Sequence, residues 1–357
     1  MKIPVDNVVE VLTTAVDIKA AAKQVVSVNV LIDETSSPEL QAFVRSGFTS
    51  DSPNSRLMVS YFPTQTPDAS VASDIVVIVA GSSPDVGRIA SDYSQACEKV
   101  LVITDQASQV MDAAAAGGNP LSPDNVISCE GGFDEQLKTQ LSELIGRWIV
   151  GNVDEKERLA FSLAFPFVRR PLALDAINRT SVQNAGLGVV VFIPVADMAV
   201  MTANQIKMVL QIAAAYGQPL DADRIKELVV VVLNAFLCRG VARELSRFVP
   251  VLGWAIKGGI GYAGTWSIGH AALEYFEAGG DAAGVAAIAA KAVKGAQEAA
   301  AVVQGEATEV AADGSVGPLA KRMGNAALGK MAEVAQSAAE TTVSNAGSLF
   351  TRRKKAK

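Results

Sequence analysis

Few residues of this chain could carry chemistry, and their spacing assembles no catalytic or metal-binding pattern. His270 is the sole histidine, and Cys97, Cys129 and Cys238 are odd in number and far apart. A nucleophile needs an adjacent base and a metal needs several close ligands, so no catalytic residue, metal site or cofactor is expected. Beside Ala271 and Ala272 on a helix, His270 reads as a packed, hydrogen-bonded core residue. Isolated cysteines fit a reducing compartment. Arg169 and Arg170, just before Pro171, could meet an acidic partner or a lipid headgroup, or form an interdomain salt link. Lys257 lies in an apolar stretch, where it must snorkel or find a carboxylate such as Asp197. The basic run Arg352, Arg353, Lys354 and Lys355 reads as solvated tail or as a membrane-surface contact. Ser82, Ser83 and Asp105 follow two apolar runs, where an open α/β sheet takes small ligands.

The elements that must position these groups are marked by hydrophobic pattern. Residues 1–24 are expected to hold an amphipathic helix, with Val5, Val8, Val9, Leu12 and Val16 on one face. Strands are expected at Val25–Ile32, Arg56–Phe62, Asp74–Ala80, Lys99–Thr104 and Asn125–Cys129. The third and fourth are continuous apolar runs, as in strands buried on both faces of a parallel sheet. Asp85–Cys97 suits a crossover helix, and Phe133–Val150 a helix with Phe133, Leu137, Leu141, Leu144, Ile145 and Trp148 as its stripe. Residues 25–150 therefore read as a doubly wound α/β domain with a parallel sheet.

Residues 151–278 read as an all-α hydrophobic domain. From Met198 the residues Gln205, Val209, Ile212 and Tyr216 keep helical spacing, with Asp197 as the expected N-cap and Gly217 and Pro219 as the stop. Small residues recur every four positions at Ala255, Gly259, Ala263, Ser267 and Ala271, a spacing that lets another helix approach closely. A membrane span needs roughly 20 apolar residues, and Phe248–Leu273 alone is long enough, with Lys257 inside it. A buried bundle and a membrane-inserted hairpin both fit. Residues 279–357 form an Ala-rich tail with the basic cluster at its end.

Half of the 357 residues are hydrophobic and 19% are charged, with a mean hydropathy of +0.27. A net charge of −6 argues against broad nucleic-acid binding, which neutralises phosphates. Asp6, Glu10 and Asp17 interrupt the first thirty residues, so no secretory signal is expected there.

Two resemblances add to this. ASDIVVIVAGSSPD, KVLVIT and NVISCEGGFDEQLKTQLSELI resemble three stretches in the second half of Era-like GTPase domains. A phosphate loop, however, needs glycines, a Lys and a Ser/Thr. Here the first strand is followed by Asp33, Glu34, Thr35, Ser36, Ser37, Pro38 and Glu39, with carboxylates that would repel triphosphate. Thr104, Asp105, Gln106, Ala107 and Ser108 stand where NKxD would hold guanine. The resemblance thus implies a degenerate, pseudo-GTPase domain that binds no GTP; an unrelated flavodoxin-like or Rossmann-like domain is the alternative. Phe161–Phe276 resembles the helical domain of unknown function in YcjF-type inner-membrane proteins, carried by Pro194, Asp197, Gln205, Met208, Tyr216, Gly217, Pro250, Gly253 and GYAGTWSIGHAALEYF. It implies placement at the cytoplasmic face of the cell membrane, and the missing nucleophile–base and metal constellations make a non-enzymatic interaction or regulatory protein the expectation there. Its partner would be a protein, a second copy bound through the helical domain, or a membrane surface. A regulator binding a small ligand on its α/β domain is the alternative, with an unrecognised enzyme behind it.

Overall fold

The computed structural model describes residues 5–97, 99–129, 131, 133–190, 196–221 and 253–279. Pro194, Pro250 and the basic cluster Arg352–Lys355 lie outside them. The chain divides into two compact units: Val9–Ala176 with Val209–Ile225, and Met1–Val8 with Ile177–Met208 and Lys226–Lys357.

The first unit holds a sheet of five strands, all parallel, in the order β2-β1-β3-β4-β5. They are β1 (Val26–Asp33), β2 (Ser55–Phe62), β3 (Ile75–Ala80), β4 (Val100–Thr104) and β5 (Val126–Ser128). That order reverses direction between β1 and β3, the doubly wound arrangement whose ligand crevice opens at the strands' carboxyl ends. Every residue of β3 and β4 is buried, as continuous apolar runs require when both faces are covered. On one face Leu31, Phe62, Ile78 and Val102 pack with Val86, Ile89 and Tyr93 of α3 (Val86–Ala96) and Val110 of α4 (Ala107–Ala116). Burial raises the Tyr93 phenol above its usual value. The start of β3 is tied to β1 by Asp74, whose carboxylate accepts from the backbone N–H of Ser27 and, at 2.8 Å, from its hydroxyl.

Helices α1 (Val5–Ala21), α2 (Pro38–Gly47), α5 (Glu135–Asn152) and α6 (Glu155–Ala164) accompany the sheet in the chain. Among the described side chains of α1, Val11, Ala15 and Ile18 are buried, while Val16 is 65% exposed. Val16 thus departs from the stripe expected through Val5, Val8, Val9, Leu12 and Val16, while the side chains of Val5, Val8, Val9 and Leu12 lie outside the description. Asp134 caps α5 by accepting from Leu137 N–H at 2.8 Å. Leu141, Ile145 and Trp148 form its buried side, and Leu144 is exposed. Beyond residue 150 the chain stays with this unit. Phe161 and Phe165 are fully buried beside Phe48, with ring centroids 5.3 Å apart for Phe48 and Phe165 and 6.0 Å for Phe161 and Phe165.

The second unit contains the later part of α7 (Arg169–Val190), the first part of α8 (Ala196–Ala215) and α9 (Gly253–Glu277). Because α8 starts at Ala196, Asp197 sits in its first turn and not at the cap. Among the described residues no helix is long and apolar enough to cross a membrane. α9 meets α7 where Gly269 touches Ile177: a Cβ there would lie 2.6 Å from Ile177 Cγ1 and 3.2 Å from its Cβ. A β-branched side chain cannot swing clear of that contact. Gly269→Ala is therefore expected to cost about 1–3 kcal/mol by overpacking, read from chemical denaturation. Combining it with Ile177→Ala should recover part of the loss, and an unchanged denaturation midpoint for the single variant would rule the contact out.

Candidate functional site

The crevice at the carboxyl ends of β1 and β3 is where this topology takes a ligand, and the chain fills it with its own carboxylate. β1 ends in Asp33, which is 0% exposed. Its Oδ1 accepts from the backbone N–H of Thr35 at 2.9 Å and from the Thr35 hydroxyl at 2.8 Å. Its Oδ2 accepts from Gly81 N–H at 2.9 Å and Ser83 N–H at 3.1 Å, both in the turn after β3. Ser82 N–H donates to Thr35 Oγ1 at 2.8 Å, and the Ser36 hydroxyl donates to Asp33 O at 2.6 Å.

The loop after β1 is thereby bolted to the loop after β3. Gly81 allows the two to meet, since a Cβ there would stand 2.4 Å from Ser36 N. Backbone N–H groups that converge in such a turn form an anion site. Here three of them, from Thr35, Gly81 and Ser83, already serve an internal anion. A phosphate arriving at this point would find its donors engaged and a negative charge in place. Glu34 and Glu39, the carboxylates that the sequence pointed to, are both exposed, and Asp33 is the one seated in the crevice. The pattern Asp-x-Thr-Ser after one apolar strand, with Gly-Ser-Ser after another, was the available signal. Asp105 stays on the rim, where Gln106 Nε2 approaches it at 3.4 Å, and the buried Thr104 hydroxyl accepts from Gln106 N–H at 3.0 Å.

The second unit carries a polar cluster between its helices. Asn184 of α7 donates through Nδ2 to Thr265 Oγ1 of α9 at 2.9 Å, and its Oδ1 accepts from Asn204 Nδ2 of α8 at 2.9 Å. Gln205 Nε2 also donates to Thr265 Oγ1, at 2.9 Å. All four residues are buried, and among the described residues Gln205 Oε1 and Ser181 Oγ have no hydrogen-bond partner.

The remaining sequence-marked residues are dispersed. Half-buried Arg169 donates from Nε to Ser162 O at 3.3 Å, and Arg170 is exposed on the next position of α7. Ser267 and Ala271 of the small-residue row are buried; the side chains of Ala255 and Ala263 and the surroundings of Gly259 lie outside the description. The close approach at Gly269 is two residues off that row. Met208 and Gln205 are fully buried, half-buried Tyr216 follows α8, and Gly217 turns the chain at φ +73°. Gly253 opens α9. His270 is half-buried, stacked on Trp266 with ring centroids 3.8 Å apart and Nδ1 3.1 Å from Trp266 O.

Over 122 residues the chain is 25% identical to magnetosome membrane protein 22 of Magnetospirillum gryphiswaldense. The match takes in 32% of this chain and 63% of that protein, so the chain spans less than two thirds of the relative's length. No protein-family model matches the chain. No solved structure matches it either.

Proposed function

We propose that this chain is a non-enzymatic, membrane-associated interaction or regulatory protein whose GTPase-like α/β unit takes no nucleotide. The observation that carries the reading is the Asp33 carboxylate, which engages the backbone N–H groups of Gly81, Ser83 and Thr35 at the switch point. Membrane association is supported by the relative's name as a membrane protein and by a mean hydropathy of +0.27. In this reading attachment is at the cytoplasmic face of the cell membrane, through the helical part or the basic cluster Arg352–Lys355. A protein partner or a second copy engages the helical part. GTPase-like descent rests on the sequence resemblance.

Two measurements test it. A fluorescent GTP analogue is expected to show no saturable binding at micromolar concentration; saturable binding that a substitution at Ser36 abolishes would sink the nucleotide part. In cell fractionation the full chain is expected with the membranes at low salt. Release by raised salt would assign attachment to the basic cluster, because salt screens such charges. Retention until detergent is added would assign it to the apolar helices. Recovery in the supernatant at low salt would overturn the membrane part altogether.

A further inference from the structure

β2 is an edge strand paired with β1 on one side. In a parallel pair the backbone groups of alternate residues point toward the neighbour and away from it. Val26 N–H donates to Asn54 O at 2.9 Å and Glu34 N–H to Phe62 O at 3.0 Å, in a register that sets Val26 opposite Ser55. Even-numbered residues of β2 therefore face β1, and Ser55, Leu57, Val59 and Tyr61 present their backbone groups outward.

At both ends of that outward row the chain itself engages backbone groups. Ser55 N–H donates to Ser52 O at 3.2 Å. Tyr61 N–H donates to Gln65 Oε1 at 3.1 Å, and Tyr61 O accepts from Gln65 N–H at 2.8 Å. Among the described residues nothing pairs with the outward groups of Leu57 and Val59 or with Ser55 O, and the group that would face Ser55 O across a copy, Tyr61 N–H, is already engaged. Met58 between them is 38% exposed. The sheet face it lies on lacks a crossover helix at this end, because residues 63–74 cross from β2 to β3 as a loop. Ala69 of that loop packs on the core while Val71 is 40% exposed.

We propose that this open window pairs with the same window of a second copy, antiparallel, about a two-fold axis at Met58. The pattern is self-complementary. Leu57 would exchange both backbone bonds with Val59 of the copy, and Val59 with its Leu57, so all four open N–H and C=O pairs are used. Met58 would meet the copy's Met58 at a non-hydrogen-bonded position, where side chains come closest. Arg56 falls opposite Ser60 of the copy, so no like charges oppose each other. The closed ends limit the pairing to this window. Such an interface is smaller than the roughly 1,200 Å² of stable complexes, so the dimer is weak and forms with rising concentration.

Sedimentation velocity of the full chain across the micromolar range tests this. A monomer–dimer equilibrium is expected, weakened about tenfold or more by Met58→Lys, which sets two ammonium groups on the axis. Leu57→Pro should weaken it similarly, since it removes an outward N–H that the β1 ladder does not use. Unchanged melting curves would show that both variants fold. Met58→Cys should give a disulfide-linked dimer on oxidation. Arg56→Cys should not, because its two sulfurs would be offset by roughly 13 Å along the strands. A wild-type chain that stays monomeric throughout overturns the proposal. So does a dimer that neither variant weakens, or cross-linking through Arg56→Cys as fast as through Met58→Cys.

Discussion

Asp33→Ala is expected to destabilise the α/β unit by about 2–4 kcal/mol, a loss comparable to that of a large core side chain. The carboxylate accepts four hydrogen bonds, and removing it leaves the backbone N–H groups of Thr35, Gly81 and Ser83 without their acceptor. Of these the Gly81 N–H is buried and costs about 1–3 kcal/mol when stranded, whereas Thr35 is exposed and Ser83 half-buried, so water relieves part of their loss. Asp33→Asn should cost less, since the amide keeps one acceptor oxygen while turning an NH2 group against donors. Thermal and chemical denaturation read the loss directly. A second readout separates an occupied anion site from a merely structural aspartate: inorganic phosphate should raise the melting temperature of Asp33→Ala and leave the wild type unchanged. A loss below about 1 kcal/mol, or equal phosphate responses in both proteins, would overturn this account.

Thr265→Val should be the most damaging near-isosteric change in the helical unit, at about 2–4 kcal/mol. The hydroxyl oxygen accepts from both Asn184 Nδ2 and Gln205 Nε2, and valine keeps the shape without the acceptor. Asn184 retains its contact to Met201 O at 3.3 Å, so Gln205 bears most of the penalty. Adding Gln205→Leu should therefore cost less than the two single effects summed, a non-additivity that a double-mutant cycle reads. Additive losses would mean the two side chains do not act together.

These two clusters also mark where the sequence stopped being informative. The strands were legible to within one or two residues, because a strand buried on both faces has to be a continuous apolar run, as Ile75–Ala80 is. The crossover helix after β3 and the cap-bounded α5 were legible for similar local reasons. Helix α4 left a weaker mark, being mostly alanine with little contrast between its faces. In α1 the pattern placed Val16 on the apolar face, and tertiary packing leaves it exposed while it buries Ile18. Asp33 was visible as a residue but not as a bolt, since two of its bonds come from 48 and 50 residues away. Asn184 and Thr265 are 81 residues apart. Periodicity records which way a side chain points, and it carries no information on which distant donor will meet it.

The division of the chain has a consequence for how the protein is made. The sheet-bearing unit is discontinuous: it needs Val209–Ile225 in addition to Val9–Ala176. Within it a Cβ on Gly217 would lie 3.8 Å from Leu163 Cδ2, and Leu210, Ile212 and Ala213 are buried. During synthesis the ribosome therefore completes every strand of the sheet while the piece Val209–Ile225 still lies about eighty residues ahead. At typical elongation rates of about 5–20 residues per second the nascent chain spends roughly 4–16 s in that state. Through that interval it presents to chaperones apolar surface that the finished protein conceals.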